Sequence, residues 1–180
     1  MIAGSGGRGI LTIGRLLAEA GMSNYRYVTY FPNYGSAMRG GDSEVTVILS
    51  DSEISSQAVY NPEVILIMDA SFYKPLVARV KSGGSCLVDS FVVSERTERK
   101  DITIHYLPVT QKALEVGSMQ VANLVMLGAY LQLTGVVPTD AIERAMDKRM
   151  IGTRREVLLS LNKQALEEGF KLMAGTKTSQ

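Results

Sequence analysis

Residues 1–9 read Met1-Ile2-Ala3-Gly4-Ser5-Gly6-Gly7-Arg8-Gly9, a short apolar run that leads into a glycine-rich turn. The first three residues are typical of the end of a buried strand, and residues 10–20 follow as a predicted helix. Gly4, Gly6 and Gly9 match the pattern G-x-G-x-x-G, in which absent side chains let backbone N–H groups approach a ligand. Because a helix N-terminus carries free N–H groups and a positive partial charge, the junction predicts a site for phosphate or pyrophosphate. Arg8 adds a full positive charge to this glycine turn.

A dinucleotide site would need a further acidic residue, which this sequence does not supply. In such sites an Asp or Glu about 20 residues beyond the glycines holds the ribose hydroxyls. The second strand is predicted at residues 25–31, and no acidic residue lies between Arg26 and Gly41. NAD and FAD are therefore disfavoured, whereas another phosphate-bearing ligand stays open. A tight turn that binds nothing is the plainer alternative, because the glycine pattern is short and common.

Composition and charge exclude several classes of function. The 180 residues suffice for one domain with a proper core. The 19 Lys and Arg balance 18 Asp and Glu, so no global basic field would recruit nucleic acid or a membrane. Cys86 is the single cysteine and His105 the single histidine, which excludes a four-cysteine iron–sulfur cluster or zinc site in this chain alone. With no leader and no long apolar segment in the sequence, we expect a cytoplasmic protein without a membrane span.

The first two thirds of the chain alternate strand patterns with helix patterns. Beyond the second strand, further strands are predicted at residues 44–49, 64–68, 85–89 and 102–107. Residues 64–68 are apolar at every position, as expected of a strand that is buried on both faces of a parallel sheet. We therefore expect an α/β fold: a single three-layer domain with a mostly parallel sheet flanked by helices and a helical C-terminal third.

Further helices are predicted between and after these strands. One turn is expected at residues 55–59, and helices are expected at residues 72–81, 110–116, 118–134 and 138–148. Thr153 and Glu156 have the spacing of a capping box for a last helix that ends near Met173. The domain is expected to span residues 1–173, followed by a flexible tail at residues 174–180.

The predicted helix at residues 118–134 is apolar almost all round, which indicates burial on every side. Such burial is hard to arrange within a domain of this length, and nine methionines add adaptable apolar surface. Both features predict contact with another subunit.

Polar residues at the predicted strand ends are the remaining candidates for a site. Ligands of α/β sheets bind at the carboxyl ends of the strands, where the glycine turn, the loop at residues 34–41, Asp69 and Asp89 are expected to lie. Arg39 is flanked by glycines in that loop, and its planar guanidinium suits phosphate or carboxylate. A surface arginine on a variable loop is an equal alternative. Asp69 and Asp89 are interpreted as helix caps.

The sequence contains no self-sufficient catalytic group. His105 lies in an alternating strand and Cys86 enters an apolar one, so both are interpreted as packed side chains and not as a base and a nucleophile. The residues by themselves predict an anion-binding α/β domain within a larger assembly, without naming a reaction.

Three stretches follow one another along the chain: Gly4-Ser5-Gly6-Gly7-Arg8-Gly9, Tyr34-Gly35-Ser36-Ala37-Met38-Arg39-Gly40-Gly41, and Ala122-Asn123-Leu124-Val125-Met126-Leu127-Gly128-Ala129. Together they resemble the gamma subunit of the 2-oxoacid:ferredoxin oxidoreductases, and the resemblance covers nearly the whole chain. Two departures are visible. Arg8 stands where that family usually has Gln, and Ser36-Ala37 stand where a pair ending in Glu is common.

The resemblance implies a division of labour among subunits. Complexes of this family decarboxylate a 2-oxoacid, pass electrons to ferredoxin and pass the acyl group to coenzyme A. Thiamine diphosphate, magnesium and iron–sulfur clusters are then carried by the partners, which are alpha and beta subunits with or without a ferredoxin-like delta subunit. The gamma domain helps to hold coenzyme A, so no catalytic or metal-binding residue is expected here. The implied coenzyme A contacts are Gly4, Gly6, Gly7, Arg8, Gly9, Tyr34 and Arg39.

The identity of the 2-oxoacid is less well indicated. The loop at residues 34–41, the stretch Asp101-Ile102-Thr103-Ile104 and the helix with Asn123 resemble members that use 2-oxoglutarate. Members that use pyruvate, branched-chain 2-oxoacids or indolepyruvate share the same architecture. The alternative function is a free-standing nucleotide-binding α/β module, which rests only on the glycine turn and the strand–helix pattern.

Overall fold

A computed structural model describes residues 1–34 and 41–176. The strands are β1 (Ile2–Ser5), β2 (Tyr27–Tyr34), β3 (Asp42–Ser50), β4 (Val64–Ile67), β5 (Ser85–Asp89) and β6 (Thr103–Leu107). The helices are α1 (Ile10–Gly21), α2 (Tyr73–Val77), α3 (Val109–Val116), α4 (Ala122–Thr134), α5 (Thr139–Met150) and α6 (Leu159–Ala174). Short 3-10 turns at Ala70–Phe72, Met119–Val121 and Glu156–Leu158 lead into α2, α4 and α6.

The six strands form one sheet in the order β2-β3-β1-β4-β5-β6. β1, β4, β5 and β6 pair in parallel, whereas β3 runs antiparallel to both of its neighbours. β2 therefore points the same way as β1, and β3 alone is reversed. The predicted α/β fold with a mostly parallel sheet and a helical C-terminal third is confirmed.

The central strands send alternate side chains into two cores, as the two-residue period of a strand requires. Ile2, Leu66 and Leu87 face a large core that they share with α1, α3, α4, α5 and α6. Ile67 and Val88, on neighbouring positions, face a smaller core beneath α2. Burial on both faces is the reason that β4 contains no polar residue.

Apart from the short helix α2, irregular segments cover the smaller core, and Arg99 links these segments by hydrogen bonds. Its guanidinium donates to the carbonyl oxygens of Val77 at 2.8 Å and Val80 at 3.0 Å, and it pairs with Asp101 at 2.6 Å. The helix predicted at residues 72–81 is wrong in length. α2 ends at Val77, and the N–H of Lys81 donates to the carbonyl oxygen of Pro62 at 3.0 Å instead of continuing the helix.

α4 and α6 cross at two glycines. A Cβ atom on Gly128 would lie 2.0 Å from the carbonyl oxygen of Leu166, and one on Gly169 would lie 1.9 Å from that of Val125. No side chain fits at either position, so the two backbones are in direct contact. Residues 122–129 of α4 are all buried as a result.

The expected burial of this helix is confirmed, and it is achieved within the chain, so the burial by itself does not indicate a subunit interface. α1, α3 and α6 pack on α4 within the same chain, so its apolar surface is already covered. The α-helix also begins later than predicted, at Ala122. Ser118 caps a 3-10 turn first, its Oγ accepting a hydrogen bond from the N–H of Gln120 at 3.2 Å.

Two further local predictions are wrong because side chains bond to the nearby backbone. No helical turn forms at residues 55–59, where the Oγ of Ser56 accepts from the N–H of Ala58 at 3.1 Å. Thr153 and Glu156 do not cap the last helix directly. Glu156 accepts from the N–H of Gly152 at 2.8 Å, which closes a turn before α6 begins at Leu159.

β2 is longer than predicted and continues through Pro32 to Tyr34. A proline fits there because β2 lies at the edge of the sheet, where one side of the strand has no partner strand. None of the helices in the described ranges combines the length and the apolar character needed to cross a bilayer. α6 ends at Ala174, and the expected flexible tail falls largely on residues 177–180, outside the described residues.

The helix crossing makes a prediction about stability. Gly128→Ala should lower the free energy of unfolding by about 2–3 kcal/mol, because the added methyl group pushes two backbones apart. Gly175→Ala is the matched control. Gly175 has φ −79° and its Cβ would be no closer than 3.5 Å to another atom, so the change should stay within about 0.5 kcal/mol. Equal losses in urea unfolding would contradict the close contact of α4 and α6.

His105 makes stability depend on pH. The side chain is buried, and burial lowers its pKa below the usual 6.5. The unfolded chain therefore takes up a proton more readily, so the free energy of unfolding should fall as the pH falls through about 6.5. His105→Gln should remove that part of the slope when unfolding is measured between pH 5 and 8. An unchanged slope in the variant would show that His105 does not contribute.

Candidate functional site

The carboxyl ends of β1, β2, β4 and β5 lie along one edge of the sheet, as their common direction requires. The glycine turn follows β1, Asp69 follows β4 closely, and Asp89 is the last residue of β5. Tyr34 ends β2 and pairs with Ser43. The expected meeting of these segments at one edge is therefore confirmed for the described residues. Arg39 lies outside them.

Gly4, Gly7 and Gly9 are each required to be glycine for a different structural reason. A Cβ on Gly4 would lie 2.9 Å from Cδ1 of Ile10 and 3.3 Å from Cβ of Met68, so a side chain would separate β1 from α1. Gly7 and Gly9 have φ angles of +87° and +71°, which only glycine adopts at low cost. Gly9 is also the N-cap of α1.

The glycine turn meets the third of the three family-like stretches at Asn123. A Cβ on Gly9 would lie only 2.2 Å from Nδ2 of Asn123, and that amide donates a hydrogen bond to the Gly9 carbonyl oxygen at 3.2 Å. Asn123 is buried. Reasoning from the sequence placed no functional weight on this side chain, although a polar residue at the start of an otherwise apolar helix is a visible signal.

Some of the N–H groups in the turn are already used. The N–H of Gly6 donates to the Gly41 carbonyl oxygen at 2.8 Å, which ties the turn to the start of β3. In contrast, residues 1–34 and 41–176 provide no acceptor for the N–H groups of Gly9, Ile10 and Leu11. These three groups lie at the positive end of α1, so the geometry suits an anion such as phosphate.

Arg8 lies beside this helix end and supplies positive charge. It borders a small cavity of about 70 Å³ that is also lined by Gly7, Met68, Met119, Gln120 and Ala122. The described part of the chain contains no carboxylate in salt-bridge contact with Arg8. Its charge is therefore available to a ligand at the glycine turn.

Asp69 is a structural cap, as predicted. One oxygen accepts from the N–H of Ser71 at 3.0 Å and from its hydroxyl at 2.8 Å, and the other accepts from the Ser5 hydroxyl. Burial alone would raise the pKa of Asp69, but these hydrogen bonds and the nearby charge of Arg8 bring the pKa below its usual value. The carboxylate joins the ends of β1 and β4 and keeps no proton for catalysis.

Asp89 is also structural, and its carboxylate bonds to the first turn of α3, the helix predicted at residues 110–116, and not only to the segment that directly follows β5. It is buried and accepts from the N–H of Phe91 at 3.1 Å and from the N–H of Thr110 at 3.2 Å. Thr110 belongs to the first turn of α3, which packs beside β5 only in the folded chain. The structural interpretation of Asp89 is confirmed, but the N-cap of α3 is Pro108, and Asp89 reaches that helix from a neighbouring strand.

Cys86 and His105 are buried away from the glycine turn, on β5 and β6. Burial raises the pKa of the Cys86 thiol to about 12, so it stays protonated and is a poor nucleophile. Across the described ranges, no three His, Cys, Asp or Glu side chains lie close enough together to hold a metal ion. Within the described residues, the geometry at this sheet edge suits anion binding and includes no acid–base pair.

Comparison with known proteins adds an independent finding. Residues 1–172 match the family described as pyruvate ferredoxin/flavodoxin oxidoreductase. The 2-oxoglutarate synthase subunit KorC of Methanocaldococcus jannaschii is 32% identical over 166 residues, which cover 90% of this chain and 89% of the relative.

Solved structures share the fold over nearly the whole chain. The gamma subunit of the keto/oxoacid ferredoxin oxidoreductase from Geobacter sulfurreducens superposes with a TM-score of 0.81 at 30% identity, covering 97% of both chains. The 2-oxoglutarate:ferredoxin oxidoreductase of Magnetococcus marinus has a TM-score of 0.89 at 23% identity, and the match covers 99% of this chain and 31% of that one. That structure contains 2-oxoglutarate, coenzyme A and succinyl-CoA.

The contrast between Gly7 and Gly9 tests the geometry of the turn. Both have positive φ, but a Cβ on Gly7 meets nothing within 4 Å, whereas one on Gly9 meets Asn123. Gly7→Ala should cost about 1 kcal/mol of unfolding free energy from backbone strain alone. Gly9→Ala should cost about 3 kcal/mol, because the clash adds to the strain. Denaturant unfolding of the two variants measures the difference, and similar losses would mean that Asn123 does not contact the turn.

Proposed function

The chain belongs to the pyruvate ferredoxin/flavodoxin oxidoreductase family, and we propose that it acts as the gamma subunit of a 2-oxoacid:ferredoxin oxidoreductase. The complex would oxidatively decarboxylate a 2-oxoacid to an acyl-CoA and reduce ferredoxin. Support comes from the match over residues 1–172 and from the gamma subunit of known structure that shares this fold at 30% identity. A free-standing nucleotide-binding module is not favoured by these similarities.

Within that complex, the chain would bind coenzyme A through its phosphates. The observation that carries this proposal is that the N–H groups of Gly9, Ile10 and Leu11 have no acceptor among residues 1–34 and 41–176, next to an Arg8 side chain that has no carboxylate partner in the same ranges. Coenzyme A carries a pyrophosphate and a ribose phosphate, and both suit a helix N-terminus with an arginine. The proposed contacts are Gly4, Gly6, Gly7, Arg8, Gly9, Tyr34 and Arg39.

The redox chemistry would reside in partner subunits. Thiamine diphosphate with magnesium, when bound by a partner, would supply decarboxylation, and partner iron–sulfur clusters would carry the electrons to ferredoxin. The described residues of this chain form no metal-binding cluster that would duplicate that role. Its own contribution would be to bind and orient coenzyme A. The expected partners are alpha and beta subunits, with or without a ferredoxin-like delta subunit, in the cytoplasm.

We propose 2-oxoglutarate as the 2-oxoacid. The relative from Methanocaldococcus jannaschii is named as a 2-oxoglutarate synthase subunit, which supports this choice. The glycine turn binds phosphate and not the 2-oxoacid, so it carries no information about the substrate's side chain. Comparing 2-oxoglutarate with pyruvate as substrate of the purified complex would decide between them.

Loss of charge at the turn should weaken coenzyme A binding. The complex, purified through a tag on this chain, should show a KM for coenzyme A about tenfold higher in the Arg8→Ala variant, because one charge-assisted contact worth about 1.5 kcal/mol is lost. Arg39→Ala should act in the same direction. The KM for the 2-oxoacid should change little, since neither arginine is proposed to contact it.

Arg154→Ala is the control for charge alone, because Arg154 is exposed on the connection between α5 and α6. Its KM for coenzyme A should stay at the wild-type value. If both Arg8→Ala and Arg39→Ala leave that KM unchanged in a normally assembled complex, the coenzyme A site is wrongly assigned. Full 2-oxoacid oxidation by the isolated chain would contradict the subunit role itself.

A further inference from the structure

We propose that Asn123 is a positioning residue that aims the backbone N–H groups of the glycine turn at the phosphates of coenzyme A. The inference rests on the proposed function of that turn. Asn123 lies 114 positions from Gly9 in the sequence, and its side chain is buried. It would therefore act through Gly9 and not by touching the ligand.

The orientation of the Asn123 amide is determined by its two partners. Its Oδ1 accepts from the N–H of Leu124 at 2.9 Å, and Leu124 has only a donor to offer in the first turn of α4. Its Nδ2 faces the carbonyl oxygen of Gly9, which is an acceptor. If the amide were reversed, its NH₂ group would face the N–H of Leu124 and its oxygen would face the carbonyl oxygen of Gly9. Only one orientation therefore makes both hydrogen bonds.

The carbonyl of Gly9 is held by three donors. It accepts from the N–H of Thr12 at 3.0 Å, from the N–H of Ile13 at 3.2 Å and from Asn123 at 3.2 Å. The first two bonds belong to α1 and are present at any helix start. The third comes from another helix and connects the turn to α4, which is itself immobilised by its contact with α6.

Holding this carbonyl also fixes the next N–H group. The carbonyl of Gly9 and the N–H of Ile10 belong to one planar peptide unit, and they point in opposite directions. With the oxygen directed into α1 and toward Asn123, the N–H of Ile10 points away from the helix into the space before its first turn. That space is where a phosphate would bind.

The contact also explains why a glycine is needed at position 9 beyond its backbone conformation. The Nδ2 atom of Asn123 lies only 2.2 Å from the position that a Cβ on Gly9 would take, which is too close for both atoms to be present. The missing side chain lets the amide reach the carbonyl. Gly7, with a similar φ and open space around it, has no such neighbour.

The test uses the assembled complex with Asn123→Ala. The KM for coenzyme A should rise about fivefold, because a misaligned N–H group loses part of one hydrogen bond to phosphate. The kcat at saturating coenzyme A and the KM for the 2-oxoacid should stay within about twofold. Inhibition by two fragments gives the decisive readout. The Ki of adenosine 3′,5′-bisphosphate should rise about fivefold, whereas the Ki of pantetheine, which has no phosphate, should not change.

Tyr25→Phe is the matched control. Like Asn123→Ala, it removes one long-range hydrogen bond between a side chain and the backbone. The bond that is lost joins the Tyr25 hydroxyl to the Val136 carbonyl oxygen at 2.9 Å, just beyond the C-terminus of α4 and away from the glycine turn. Tyr25→Phe should leave all five constants unchanged. If the Asn123→Ala variant does not assemble, Asn123→Ser provides the same test. Serine keeps a polar group at the N-terminus of α4, but its side chain is too short to reach Gly9 as the amide does.

The outcomes separate this inference from the proposed function. If Arg8→Ala raises the KM for coenzyme A and Asn123→Ala does not, the role of Asn123 is refuted and the coenzyme A site stands. If neither variant raises that KM, the site itself is refuted. Equal rises in the Ki of both fragments, or in the KM of both substrates, would show that Asn123 is structural only.

Discussion

The backbone contact between α4 and α6 at Gly128 and Gly169 is the constraint on which much of this domain depends. Because no side chain separates the helices, α4 is held at the centre of the helical layer with its N-terminal residues buried. The end of α4 that carries Asn123 is thereby fixed against the sheet. A small shift of α4 would move Asn123 away from Gly9, so packing far from the sheet edge sets the geometry of the glycine turn.

The glycine turn is consequently supported from three directions. The N–H of Gly6 bonds to Gly41, the Ser5 hydroxyl bonds to Asp69, and the Gly9 carbonyl bonds to Asn123. These contacts use the polar groups that face the protein, whereas the N–H groups of Gly9, Ile10 and Leu11 have no acceptor within the part of the chain that the structure describes. A rigid set of donors binds an anion at lower entropic cost than a mobile one.

The polar groups at the sheet edge thus have distinct tasks. Asp69 and Asp89 accept several hydrogen bonds each and join structural elements, while Arg8 borders the small cavity at the glycine turn and has no carboxylate partner among the described residues. The net charge of +1 means that this attraction is local and does not come from the protein as a whole. A domain of this kind suits the binding of a phosphate-bearing substrate on which another subunit performs the chemistry.

The sequence by itself determined the α/β class, the glycine turn, the buried strand β4 and the cap at Asp69, because each depends on local periodicity or on residues a few positions apart. It could not determine that β3 is reversed, that α4 is covered within its own chain, or that α2 ends at Val77. Nor could it assign Asn123 to Gly9. Those features depend on contacts between segments distant in sequence, and such contacts exist only once the helices and strands have packed together.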